Sequence, residues 1–163
     1  MSLLEIRRWP DPILSRVCEP VRDPNSVRSL ADDMLQTMYA APGRGLAAPQ
    51  VGHPLRLFVM DVAWKDGPPQ PFICVNPEIV ETAPDRVIGS EGCLSIPGVT
   101  AEVPRASWIT LRWTTPDGAN LEKRLEGAAA ICAQHEQDHL DGVVTFDRVP
   151  PEARRALEAD YAG

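Results

Sequence analysis

Gln134-His135-Glu136-Gln137-Asp138-His139 is the stretch whose residue types can do chemistry. In a helix, His135 and His139 lie four residues apart and project from one face. Two imidazoles at that spacing can share one metal ion without distorting the backbone. Glu136 follows about 100° around the helix, beside such an ion, where a carboxylate suits a general base acting on water; the H-E-x-x-H pattern is read in that way. Taken alone, the pair is equally compatible with two ordinary surface or core histidines. A catalytic metal site usually draws three protein ligands and keeps one position open, so a third donor must come from elsewhere.

The helix that must carry these groups is expected from Gly127 to Asp141. Ala128, Ile131, Cys132 and His135 recur at i, i+3, i+4 and i+7, which makes the metal-facing stripe the buried stripe as well. Gly142 supplies the stop signal. Upstream, Pro10, Pro12, Pro20 and Pro24 make the first 25 residues extended or turning chain, with at most one helical turn near Ile13 to Val17. Asn25 or Ser26 is expected to cap a helix running to about Tyr39. Its methionines, Met34 and Met38, are read as core packing. Strands are expected at Leu55 to Val62, Phe72 to Asn76, Glu78 to Glu81, Val99 to Val103, Ser107 to Thr114 and Ala119 to Glu126. Pro116-Asp117-Gly118 joins the last two. Val143 to Phe146 is a short apolar tail, and Pro151 opens a final helix to about Tyr161. Together these elements make an α+β fold: antiparallel or mixed sheets packed around a central metal-binding helix, with an N-terminal and a short C-terminal helix.

A chain of 163 residues fits one domain, residues 1–163, large enough to bury a core. Net charge is −7, and the absence of any Lys/Arg block disfavours direct nucleic-acid binding. No apolar run reaches the roughly 18 residues of a membrane span. Met1 to Pro10 lacks the apolar stretch of a signal peptide. The expectation is therefore a cytoplasmic protein with reduced thiols. Of the four cysteines, Cys18, Cys74 and Cys132 read as small buried apolar residues. Cys93 differs, flanked by Glu91-Gly92 and Ser95, and is the best candidate for the third ligand. One thiolate with two imidazoles suits zinc and ferrous iron alike.

Pro42 to Gly52 is dominated by glycine and alanine and reads as a tight loop that lets backbone approach another surface. It lacks the spacing of a phosphate loop. Gln50 is its notable residue, because a side-chain amide can donate to a developing negative charge. His53, before Pro54, reads as a surface residue.

Gly43-x-Gly45-Leu46-Ala47-Ala48-Pro49-Gln50, Glu91-Gly92-Cys93-Leu94-Ser95 and Gln134-His135-Glu136-x-Asp138-His139 occur together and in that order. The set resembles the peptide deformylases over most of the chain. The resemblance implies one divalent metal ion, ferrous iron natively and often zinc or nickel in its place, held by Cys93, His135 and His139. It implies that Glu136 is the general base and acid, and that Gln50 and the Leu94 N–H stabilise an oxyanion. The implied reaction removes the formyl group from N-formylmethionyl nascent peptides in the bacterial cytoplasm, with transient ribosome contact. The peptide would lie as an added strand beside Gly43, Arg44, Gly45 and Leu46. Its methionine would enter a pocket lined partly by Ala128, Ile131 and Cys132.

Asp138 falls on the far side of the helix from the metal and is expected to pair with Arg105, anchoring helix to sheet. Arg44 and Ala128 depart from the family's commoner residues, which leaves peptide preference open. The resemblance implies that, with a short tail after Pro150, any ribosome-docking helix would be reduced. Two rival readings remain. A metzincin peptidase continues H-E-x-x-H-x-x-G-x-x-H, but here Thr145 stands where the third histidine belongs. A non-enzymatic relative would bind metal or peptide without turnover, against which the intact Glu136 and Gln50 speak.

Overall fold

The computed structural model describes residues 2–161. Its strands are β1 (Gly45–Ala47), β2 (Leu57–Met60), β3 (Phe72–Thr82), β4 (Arg86–Cys93), β5 (Ile96–Ala106), β6 (Trp108–Thr114) and β7 (Asn120–Glu126). Its α-helices are α1 (Arg28–Ala40), α2 (Gly127–Leu140) and α3 (Pro151–Asp160). One sheet has the order β1-β2-β3-β6-β7, and β4 and β5 form a separate hairpin. All pairings between these strands are antiparallel. The α+β expectation is met, with α2 as its central helix.

The pleat of β2 explains how the sheet is covered. Leu57 and Val59 point to one side and pack with Ala31, Met34 and Met38 of α1. Phe58 and Met60 point to the other, where Ala130, Ala133 and Leu140 of α2 complete the core. Alternating side chains thus serve two cores, and a strand buried on both faces reads as an unbroken apolar run. The alanines of α2 let its backbone come close to the sheet.

The expected buried stripe of α2 needs correction. Ala130 and Ala133, fully buried, face the core, whereas Ala128, Ile131, Cys132 and His135 line an open cleft. Periodicity identified one apolar face, but in a helix of mostly small residues it did not say which face was deepest. The helix ends at Leu140, and Gly142 follows as the expected stop, with φ +76°. A Cβ there would stand 2.6 Å from the Ser15 carbonyl oxygen, so glycine is required on both counts.

Other boundaries also moved. The expected cap at Asn25 or Ser26 is replaced by Asp23, whose carboxylate accepts from the Asn25 N–H at 3.1 Å. This opens a 3-10 turn (Pro24–Val27) that runs into α1. The two strands expected either side of Pro77 are one strand, β3, with a register shift between Val75 and Glu78. Proline has no N–H for the ladder, and a bulge accommodates it. At that point Asn76 adopts φ +49°, and its amide exchanges two 2.8 Å bonds with the Val21 backbone. No strand was expected at β4, whose residues before Cys93 are mostly exposed. Its partner is supplied by the chain beyond the turn at Leu94-Ser95.

Candidate metal centre and cleft

Cys93 closes β4, and Leu94-Ser95 turns the chain into β5, with Cys93 opposite Ile96. This hairpin end delivers the thiol to α2. The Cys93 Sγ lies 3.5 Å from His139 Nε2. The donor atoms of Cys93, His135 and His139 all fall within 4.8 Å of one another. A cation with bonds of about 2.0–2.3 Å to nitrogen and sulfur fits between donors so spaced. Thr145, the position of a metzincin's third histidine, sits in a separate 3-10 turn (Thr145–Arg148).

The surrounding hydrogen bonds prepare these donors. His135 Nδ1 is 2.9 Å from Glu91 Oε1, which fixes the ring and leaves Nε2 for a ligand bond. Burial depresses His139 well below its usual range, assisted by His135 and Arg105, so it is a neutral donor. Burial acts the same way on His135, but Glu136, Cys93 and Glu91 outweigh it and hold the ring well above its usual value. A cation bound there displaces a proton. Burial alone would raise the Glu91 carboxyl, yet Arg105 and His135 hold it at about 2, so it stays ionised.

Glu136 is 4% exposed, and its Oε1 has no hydrogen-bond partner among the described residues. Burial raises its carboxyl to about 7, against the pull of the neighbouring His135. A buried carboxylate oxygen left free beside a set of metal donors is what a proton-transfer group requires. Gln50 is oriented by its own backbone neighbourhood. Its Oε1 accepts from the Ala47 N–H at 2.9 Å, which turns the NH₂ toward Ser95 Oγ at 3.0 Å and Cys93 Sγ at 3.7 Å.

A cleft of about 620 Å³ opens over this centre, lined by Gly43, Arg44, Gly45 and Leu94 on one side and by Ala128, Ile131 and Cys132 on the other. At Gly45 a Cβ would lie 2.5 Å from Glu136 Oε2 and 2.8 Å from Cys132 Sγ. At Gly43 it would lie 2.7 Å from Leu94 Cδ1. Gly45 is therefore a spacer that lets the cleft wall touch the centre, and Gly43 leaves room for the Leu94 side chain against that wall. Leu46, expected beside the peptide through its backbone, has its side chain fully buried in the α1-side core. One position along the strand reverses the side-chain direction.

A model of the polypeptide deformylase family matches residues 3–155. The chain belongs to the polypeptide deformylase family. A peptide deformylase of Mesorhizobium japonicum is 50% identical over 141 residues, which span 86% of this chain and 80% of that protein. The crystal structure of peptide deformylase from Thermus thermophilus superposes with a TM-score of 0.88 at 43% identity, covering 96% of this chain and 92% of the other. The Legionella pneumophila enzyme gives a TM-score of 0.90 at 37% identity, covering 97% and 92% respectively.

Within this deformylase fold, the structure brings together the sequence-derived set of Cys93, His135, His139, Glu136, Gln50 and Leu94. It also adds a network that the sequence did not reveal. Arg105 Nε and Nη2 donate to both Glu91 oxygens at 2.8 and 2.9 Å, and Nη1 donates to Asp138 Oδ2 at 2.6 Å. Arg148 grips Asp138 from the other side at 2.7 and 3.1 Å. The expected Arg105–Asp138 pair is thus one half of a clamp whose other half, Glu91, reaches His135. The available signal was a carboxylate two residues before the thiol. Arg105→Ala leaves buried Glu91 with only His135 and Asp138 with only Arg148, and unfolding in urea is expected to show a loss of about 3–5 kcal/mol. An unchanged midpoint would contradict the clamp.

Proposed function

We propose that Cys93, His135 and His139 hold one divalent cation, ferrous iron natively with zinc or nickel able to take its place, at the active site of a single-domain deformylase. The enzyme removes the formyl group from N-formylmethionyl peptides of newly made proteins, releasing formate. The observation that carries this assignment is the convergence of one thiol and two imidazoles beside the free, buried Glu136 carboxylate. The mixed sulfur and nitrogen donor set suits borderline divalent metals. When bound, such an ion acts as a Lewis acid on the formyl carbonyl and lowers the pKa of water from 15.7 toward about 7.

The chain's own groups do the rest. Glu136 takes the proton of the attacking water on its free oxygen and later returns it to the leaving amine nitrogen. Gln50 Nε2, turned by the Ala47 bond, and the Leu94 N–H donate to the oxygen on which negative charge develops. The peptide adds along β1, which is the edge strand of its sheet. Main-chain bonds of that kind tolerate many sequences, as a processor of nascent chains must. Ile131 and Cys132 line the pocket for the methionine side chain, with Ala128 at its exposed rim. Among the described residues no helix is long and apolar enough to cross a membrane. Action on nascent chains places the enzyme in the bacterial cytoplasm, in transient contact with ribosomes.

Formate release by anaerobically prepared, iron-loaded protein tests this function. N-formyl-Met-Ala-Ser should yield one formate per peptide, and N-acetyl-Met-Ala-Ser should remain intact. Internal cleavage of the acetylated peptide, or no formate from the formylated one, would overturn it.

A further inference from the structure

The mouth of the cleft carries charge that the chemistry above leaves unused. Four charged side chains line the cleft: Arg44, Lys65, Glu91 and Glu136. The two carboxylates are buried, Glu91 in the Arg105 clamp and Glu136 beside the metal donors. Arg44 and Lys65 are exposed, and among the described residues neither forms a salt bridge. In a chain of net charge −7, two unpaired cations on one rim are not the by-product of a basic surface.

Their proximity is built in. The Asp61 N–H donates to the Arg44 carbonyl at 2.8 Å, and the Trp64 indole N–H donates to the Gly43 carbonyl at 2.9 Å. Asp61 Oδ1 accepts from the Ala63 and Trp64 amides at 3.1 and 3.2 Å. The Tyr39 hydroxyl donates to Asp61 Oδ2 at 2.6 Å. The turn after β2 is thereby stapled to the Gly43-Arg44 wall. Lys65 Nζ stands 5.7 Å from the centre of the Trp64 ring.

Direction decides which part of a peptide these cations meet. Strand β1 alternates, and a Cβ on Gly45 would point at Glu136; Arg44, in the bend just before β1, is exposed at the cleft rim. A peptide added at the same edge alternates likewise. Its methionine turns into the cleft, and the next side chain turns out to the rim. We infer that Arg44 and Lys65 select for an acidic side chain at the residue following the formylated methionine. This rests on the deformylase assignment of the cleft.

The test compares N-formyl-Met-Glu-Ser, N-formyl-Met-Gln-Ser and N-formyl-Met-Lys-Ser by formate release. Exposed charge pairs are individually weak, and selection is the difference between attraction of one partner and repulsion of the other. At low salt, kcat/KM is expected to be on the order of tenfold higher for the Glu than for the Lys peptide, with Gln between them. The difference should lie in KM and shrink at about 0.5 M salt. Lys65→Ala should narrow the ratio, and Arg44→Glu with Lys65→Glu should invert it. Equal kcat/KM for the Glu and Lys peptides, or a ratio that the double variant leaves unchanged, would overturn the selection while leaving the deformylase assignment standing. No formate from any of the three peptides would overturn both.

Discussion

Glu136→Gln is expected to lower kcat for formate release by roughly 10²–10⁴-fold, while one metal ion per chain is retained. The substitution keeps the side-chain volume in a position only 4% exposed. It removes the basic carboxylate, whose Oε1 has no other partner among the described residues, and puts a non-basic amide in its place. The metal donors lie on Cys93, His135 and His139, so their spacing survives an isosteric change at a neighbouring side chain. Single-turnover formate release and metal content, measured on the same preparation, separate the two effects. Full turnover in the variant would remove Glu136 from proton transfer. Loss of the metal together with turnover would make it a structural support.

Gly45→Ala is expected to lower kcat/KM by about a hundredfold, because displacements near 1 Å at a reacting group carry losses of that size. The added methyl would stand 2.5 Å from Glu136 Oε2 and 2.9 Å from its Cδ. The carboxylate, which lines the cleft, can step aside only by leaving its place beside the donors. Overpacking should also lower stability by roughly 1–3 kcal/mol. Adding Cys132→Ala relieves the sulfur contact at 2.8 Å but not the carboxylate one, so activity should return only in part. Wild-type kinetics in Gly45→Ala would show that the wall and Glu136 are not in the contact described.

The centre was legible because its main part is local. His135, Glu136 and His139 lie within two turns of one helix, and helix α2 ends within one residue of its expected boundary. Cys93 stood out by its neighbours rather than by any distance, and the order of the three motifs tied it to the pair. The parts that were not legible depend on contacts between distant segments. β4 exists because β5 pairs with it from Arg86↔Ala106 to Cys93↔Ile96, and its own exposed residues announce little. Of the clamp, the Arg105–Asp138 pair was expected, but Glu91 and Arg148, from another strand and a 3-10 turn, were not. Leu46 was expected beside the peptide through its backbone, with no direction read for its side chain. It sits beside two cleft-lining positions, yet strand alternation sends its side chain into the other core. The apolar stripe of α2 was misassigned for a different reason. In a run as rich in alanine as Ala128-Ala129-Ala130, side-chain size no longer distinguishes core from cleft.

Metal content and formate release should be measured side by side for the native chain and Cys93→Ala, each equilibrated anaerobically with ferrous iron and then gel-filtered. The native chain is expected to keep one equivalent of iron and to release formate from N-formyl-Met-Ala-Ser. The variant is expected to lose both while folding to the same far-ultraviolet circular dichroism spectrum. A Cys93→Ala protein that retained a full equivalent of metal and native turnover would show that the thiol is no ligand, and that the cation-centred cleft is wrongly assigned.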